Sequence, residues 1–278
     1  MTPFSLFAPA KVNLALHVLG RRADGYHELD SIVAFADVGD RLTFKPAEVF
    51  ALTAGGPFAS SLPAAEDNII SRAWLAVATI AAQRGLGLPP TAVHLTKNLP
   101  LASGIGGGSA NAAAMRGFLR IAGIETLDEE IRAAALSLGA DVPVCLIGKA
   151  CRMQGVGERI TPLEDFKPRP GILVNPLVEV PTSAVFRKLG LKKGQRFNAP
   201  VTDQSDPACW RNDLSAPAIA LAPVIGEVLA TLKSLPGVTI AFMSGSGATC
   251  VALWEGQPGD GVLKDGWWSA STILQGSQ

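Results

Sequence analysis

The chain has 278 residues, 48% of them hydrophobic and 17% charged, with basic and acidic residues balanced at 24 each. That length and apolar content are enough for a substantial core, in one large or two modest domains, and exclude a disordered chain. The balanced charge, without a Lys/Arg cluster, excludes nucleic acid as the principal partner.

Residues 1–10 lack the basic start and apolar run of a secretory leader, and Lys11 and Asn13 interrupt the apolar sequence that follows. The apolar stretch 74–82 is too short to span a bilayer, so a cytoplasmic protein without a membrane partner is expected. Cys145, Cys151, Cys209 and Cys250 form no C-x-x-C pair and sit in apolar surroundings. They read as free buried thiols of a reducing compartment, not as metal ligands.

Residues 11–18 alternate as a strand does, with Val12, Leu14, Leu16 and Val18 on one face and Lys11, Asn13, Ala15 and His17 on the other, away from the core. Residues 20–27 form a polar turn around Asp24-Gly25, and 32–35 and 41–44 are two short strands. Residues 54–65, rich in Gly, Pro and Ser, read as a loop. A helix over 71–84 stops at Gly85, and 91–97 alternates as a strand. A second helix covers 111–121. Thr126-Leu-Asp-Glu129 has the capping-box spacing that opens a third, which Gly139 ends, leaving Asp141 in the loop beyond.

Past Gly148 the texture changes: Pro168, Pro170, Pro176 and Pro181 punctuate the chain and 192–206 is polar, which suggests a domain boundary near Gly157. Residues 216–234 read as one helix, followed by strands over 238–243 and 249–254 around Ser244-Gly-Ser-Gly247.

The most informative segment is Leu99-Pro-Leu-Ala-Ser-Gly-Ile-Gly-Gly-Gly-Ser109, a glycine-dense loop between a strand ending near Lys97 and a helix starting near Ser109. Glycines let consecutive N–H groups turn toward a ligand, and a helix start adds unpaired donors and partial positive charge, so the placement suits a di- or triphosphate. A turn that merely packs a helix on a sheet has the same composition. The loop lacks the Gly-Lys-Ser/Thr of a Walker A sequence, the glycine pattern of protein kinases, and the following acidic residue of dinucleotide folds.

This loop resembles the phosphate loop of the GHMP kinases, Pro-x-x-x-Gly-Leu-Gly-Ser-Ser, with Pro100 and Ser109 at its ends and Ile105 in the leucine position. Ala8-Pro-Ala-Lys-Val-Asn-Leu14, Arg22-Ala-Asp-Gly-Tyr-His27, Leu138-Gly-Ala-Asp-Val-Pro143 and Met243-Ser-Gly-Ser-Gly-Ala-Thr-Cys250 are similar, in order, to segments of one branch of that superfamily. Its acceptor is a cytidine diphosphate-linked methylerythritol. Asn111 departs from the pattern, since many members carry Asp there.

The resemblance implies an α+β protein of two domains. Residues 1–157 would form a ribosomal-protein-S5-domain-2-like domain with the phosphate loop, and 158–278 a ferredoxin-like domain. It implies an ATP-dependent kinase of the non-mevalonate isoprenoid route that phosphorylates the 2-hydroxyl of the cytidyl compound, with Mg2+ neutralising charge.

Carried over by position, Asp141 is the general base, and Lys11 keeps its carboxylate ionised and reaches toward the migrating phosphate. Pro100, Leu101, Ala102, Ser103, Gly104, Ile105, Gly106, Gly107, Gly108, Ser109 and Ala110 hold ATP, with Lys97 at the strand end and Asn68 near the adenine. Asn68 and Lys97 each also read as a plain surface or helix-capping residue. Ser109 admits two compatible roles, magnesium ligand and helix N-cap. Asn13, Tyr26, His27, Gly245, Ser246 and Gly247 face the acceptor, Tyr26 stacking on the pyrimidine and the glycine turn covering the diphosphate. Without the resemblance Asp141 reads as a turn residue and Lys11 as a solvated strand lysine. A nucleotide-binding module without catalysis is the rival from another class.

Overall fold

A computed structural model describes residues 2–255 and 263–276. The chain divides into two compact units: residues 1–10, 39–101 and 106–147 in the first, 11–38, 102–105 and 148–278 in the second. The units are interleaved and do not follow a single cut at Gly157. Two long strands cause this, β1 (Phe4–Arg21) and β2 (His27–Pro46), each of which contributes to both units.

The two short strands expected over 32–35 and 41–44 are therefore one twenty-residue strand. The Gly39 it passes through has no room for a side chain: a Cβ there would lie 2.3 Å from the Ala8 carbonyl oxygen.

In the first unit, β3 (Ala51–Gly55) pairs in parallel with β4 (Thr91–Thr96), and β4 pairs antiparallel with residues 41–46 of β2. The region expected to be a loop, 54–65, thus begins as the end of a strand. Helices α1 (Ile69–Gln83), α2 (Gly107–Ile121), α3 (Asp128–Leu138) and the short α4 (Val142–Ile147) complete it.

Asn68 caps α1, its Oδ1 accepting the Ile70 N–H at 3.0 Å, and Gly85 lies just past the end with φ +69°, as the sequence suggests. The capping box at Thr126 does not form: residues 125–127 make a 3-10 turn and α3 starts at Asp128 with no side-chain cap. The core is a relay of rings, Phe4 on Phe44 at 5.0 Å, Phe44 on Phe118 at 5.3 Å and Trp74 on Phe118 at 5.2 Å.

In the second unit, β7 (Arg169–Asn175), β8 (Val238–Met243), β9 (Cys250–Trp254) and β10 (Trp268–Gln275) form an antiparallel sheet in the order β10-β7-β9-β8. Numbered along the chain, that is the 4-1-3-2 order of a ferredoxin-like sheet. Residues 27–38 of β2 pair with β10 and with β5 (Cys151–Gly155), which pairs in turn with β6 (Arg159–Pro162).

The crossover from β7 to β8 carries α5 (Thr182–Leu189), α6 (Ser215–Leu221) and α7 (Val224–Ser234). The single helix expected over 216–234 breaks at Ala222-Pro223, where Ala222 takes φ −138° and ψ 87°. Proline disfavours helical geometry in the residue before it and supplies no N–H to continue the ladder.

The tail, whose purpose composition leaves open, supplies β10, and Trp267 packs against the second unit's core; residues 256–262 of that tail lie outside the described ones.

None of the four cysteines is in a disulfide, and Cys145 and Cys209 are only half-buried. Burial pushes the thiols of Cys151 and Cys250 up to about 12. At pH 8 a neutral alkylating agent is therefore expected to leave Cys151 and Cys250 unlabelled in the folded protein and to label them in urea. Mass mapping of the labelled peptides checks this, and fast labelling of either in the native state contradicts it.

Candidate active site

The glycine loop runs from the end of β4 into α2, as expected, but the helix starts at Gly107, two residues before Ser109. Gly106 is the N-cap, in left-handed conformation with φ 63° and ψ 19°, so Ser109 lies in the first turn and does not cap the helix.

Left-handed residues recur at every second position before that start: Ala102 at φ 47°, Gly104 at 74° and Gly106 at 63°. Such alternation gathers successive N–H groups into a concave nest, and the first turn at Gly107, Gly108 and Ser109 adds N–H groups without intrahelical acceptors. Ala102 pays strain for this geometry, since a Cβ disfavours positive φ.

Gly108 is informative for the opposite reason. A Cβ there would meet only Ile69 Cγ2, at 3.7 Å. Packing does not require glycine, which weakens a helix by about 1 kcal/mol relative to alanine; open space on that side leaves room for a bound group.

In the second unit the middle of the loop is stitched to β1 and to the β8–β9 turn. Ile105 O accepts the Lys11 N–H at 2.8 Å and Ser103 O accepts the Thr249 N–H at 3.1 Å. Ser244 Oγ accepts the Asn13 N–H at 3.0 Å and donates to Gly104 O at 3.0 Å. Lys11 Nζ donates to Asn13 Oδ1 at 2.7 Å, and Asn13 Nδ2 to Ser31 Oγ at 2.7 Å.

Both Lys11 and Asn13 are buried, at 2% and 1% exposure, which corrects the expectation that this face of β1 points away from the core. The period-two pattern is present, but its polar face is packed as well.

The turn 244–247 is held from outside. Asn212 Nδ2 donates to Met243 O at 2.7 Å and Gly245 O at 2.8 Å, and the Thr182 and Ser246 hydroxyls share a bond of 2.7 Å. Asn212 and Thr182 carry no motif signal of their own.

Tyr26 and His27 follow a turn in which Gly25 takes φ 100° and Asp24 Oδ1 accepts the Tyr26 N–H at 3.0 Å. Tyr26 is 65% exposed. His27 stacks on Phe186 of α5 with ring centroids 4.6 Å apart, and its Nε2 is buried with no hydrogen-bond partner among the described residues. Burial and then the Arg21 charge hold its pKa below the ordinary 6.5, favouring neutral imidazole.

Sequence reasoning missed Phe186, which no motif marks. Basic groups lie beside this turn: a Cβ at Gly25 would lie 3.8 Å from Lys193 Nζ and 3.9 Å from Arg21 Nη2.

The remaining candidates belong to the first unit. Lys97 is 3% exposed and donates to the fully buried Asp40 Oδ2 at 2.6 Å, so it is not a surface residue. Asp141 is half-buried in the turn between α3 and α4, where Gly139 O accepts the Val142 N–H at 3.0 Å and Asp141 O the Cys145 N–H at 3.2 Å. Ser109 adjoins that turn: a Cβ at Gly139 would lie 3.7 Å from its Oγ.

No group of three His, Cys, Asp or Glu side chains able to hold a metal occurs among the described residues. Asn111 Oδ1 is buried without a hydrogen-bond partner among them.

Residues 68–149 match the model of the GHMP kinases N terminal domain. The chain is 46% identical to a 4-diphosphocytidyl-2-C-methyl-D-erythritol kinase of Dinoroseobacter shibae over 98% of its own length and 96% of the relative's. It is 45% identical to one of Paramagnetospirillum magneticum over 99% of both.

A crystal structure of 4-(cytidine 5'-diphospho)-2C-methyl-D-erythritol kinase superposes with a TM-score of 0.79 at 31% identity, covering 98% of this chain and all of that one. A homoserine kinase from Cytophaga hutchinsonii shares the fold, with a TM-score of 0.70 at 18% identity over 99% of this chain and 96% of the other. With identity of this order running through nearly the whole of both chains, the chain belongs to the 4-diphosphocytidyl-2-C-methyl-D-erythritol kinases.

Proposed function

We propose that the protein transfers the γ-phosphoryl group of ATP to the 2-hydroxyl of 4-diphosphocytidyl-2-C-methyl-D-erythritol, giving ADP and the 2-phosphate. The step serves non-mevalonate isoprenoid precursor synthesis. The observation that carries this reading is the run of left-handed residues 102, 104 and 106 leading into the start of α2, a nest of donors for a polyphosphate beside the open side of Gly108. The family supplies the identity of the acceptor.

In the transfer, the acceptor's 2-oxygen forms a bond to the γ-phosphorus as the bond from that phosphorus to the bridging oxygen of ADP breaks. The hydroxyl proton passes to the Asp141 carboxylate. Lys11 supplies positive charge for the equatorial oxygens of the migrating group, and Asn13 holds the lysine by its Oδ1 bond.

Magnesium would arrive with ATP, held by its phosphates and the Ser109 hydroxyl. This fits a site without a carboxylate cage, because Mg2+ commonly binds through one or two protein groups plus substrate phosphates. It supplies neutralisation of the phosphate charge.

On the acceptor side, the exposed Tyr26 ring offers a stacking face for the cytosine, and the buried, unpartnered His27 Nε2 offers a hydrogen bond to its edge. The glycine turn presents the Gly245 and Ser246 N–H groups to the diphosphate, while the Gly247 N–H closes the turn on Ser244 O at 3.0 Å. A cytoplasmic location accords with cysteines that form no disulfide and with ATP as substrate; no described helix is long and apolar enough to cross a membrane.

Tyr26→Ala is expected to raise the KM for the cytidyl acceptor by roughly 5- to 150-fold, the equivalent of about 1–3 kcal/mol of stacking, with the KM for ATP unchanged. Steady-state kinetics in each substrate check it, and a change confined to ATP assigns the turn to the other ligand. The product itself tests the regiochemistry. Its 31P and 13C spectra should place the new phosphate on the 2-oxygen, and a phosphate on another hydroxyl rejects the proposal.

A further inference from the structure

Asp40 is fully buried on β2, well outside the sequence motifs, and its carboxylate touches both ends of the phosphate loop. Oδ1 accepts the N–H groups of Asn98 at 2.8 Å and Leu99 at 2.9 Å, where the chain leaves β4. Oδ2 accepts Lys97 Nζ at 2.6 Å and Asn111 Nδ2 at 3.0 Å, the latter from the second turn of α2. The two oxygens divide the work, one fixing where the loop begins and the other the helix it runs into.

Charge adds a second reason for a carboxylate. Lys97 is buried, and its Nζ would lie 3.3 Å from a Cβ placed on Gly107, the first residue of α2. A buried cation beside the positive end of a helix is doubly disfavoured. Burial lowers the Lys97 pKa, and the charge and hydrogen bond of Asp40 work against that loss.

We propose that Asp40 is a positioning residue for ATP: through Lys97, the 98–99 amides and Asn111 it holds the phosphate loop in its donor-presenting form before ATP arrives. Preorganisation of this kind is felt in the affinity for the ligand of the loop and not in that for the other substrate. The inference rests on the reading that the loop holds ATP. Protection of the amides of residues 102–109 from hydrogen exchange when ATP is added to the parent enzyme tests that reading, and the ratio of variant to parent ATP KM tests this one.

Asp40→Asn separates the two arms. The Asn Oδ1 can still accept both strand-end amides, while its Nδ2 opposes the donors of Lys97 and Asn111. The variant is expected to raise the KM for ATP about tenfold or more and the KM for the cytidyl acceptor less than twofold.

Because Asp40 acts partly through Lys97, adding Lys97→Met to Asp40→Asn should raise the ATP KM by less than Lys97→Met does alone. Equal rises in the two KM values, an unchanged ATP KM, or fully additive effects overturn the proposal. Where Asp40→Asn alone fails to fold, the Asp40→Asn/Lys97→Met protein, which lacks the unpaired buried cation, takes its place. An ATP KM within twofold of the parent's then overturns it.

Discussion

Asp141→Asn is expected to lower kcat by about a hundredfold or more, with ATP affinity nearly intact. Loss of a general base removes about 10²- to 10⁴-fold of rate, and the substitution keeps the size and shape of the side chain. The backbone of the turn is fixed independently, by the Val142 N–H on Gly139 O and the Cys145 N–H on Asp141 O, so no rearrangement is expected to accompany the change. Single-turnover kinetics at saturating ATP isolate the chemical step from product release. A near-normal rate would remove Asp141 from the role assigned to it.

The second large effect is expected at Gly104. A Cβ there would lie 2.5 Å from Ser244 O and 2.7 Å from Gly247 O, on a residue already at φ 74°. Gly104→Ala therefore combines a left-handed alanine with an overpacked backbone crossing, together about 2–4 kcal/mol of destabilisation.

Moving the Ser244 backbone to relieve that clash is expected to disturb the hydroxyl clasp, in which Ser244 Oγ takes the Asn13 N–H and gives to Gly104 O at 3.0 Å each. Urea unfolding should show the loss of stability and kinetics a raised KM for ATP. Parental values of both would mean that the two glycine turns do not need their present close approach.

Much of the local structure was legible because short-range chemistry fixes it. The Asn68 cap, the glycine after α1, the alternation of β4 and the β8–β9 hairpin all declare themselves within a few residues. Where expectation failed, a longer-range cause decided. Alternation in residues 11–18 gave a strand but not its surroundings, since a polar face packed on other polar groups has the same period as a solvated one. The capping-box spacing at Thr126 was met, yet the chain turned before it could cap.

The site divides in the same way. The glycine loop, Lys11, Asn13 and the 244–247 turn lie in recognisable motifs, and the second unit brings Lys11, Asn13, residues 102–105 and that turn together. Asp40, Phe186, Thr182 and Asn212 lie outside them. Asp40 meets Asn111 across 71 residues of chain, and Asn13 meets Ser244 across 231. No spacing rule reaches that far; only the fold makes these pairs.

The most direct measurement is ADP release by the purified protein with magnesium and ATP, offering in turn 4-diphosphocytidyl-2-C-methyl-D-erythritol, homoserine, mevalonate and galactose. Selective turnover of the cytidyl compound is the predicted result. Preference for another acceptor would contradict the role given to Tyr26 and His27, and absence of turnover with all of them would contradict the assignment of the protein as a kinase.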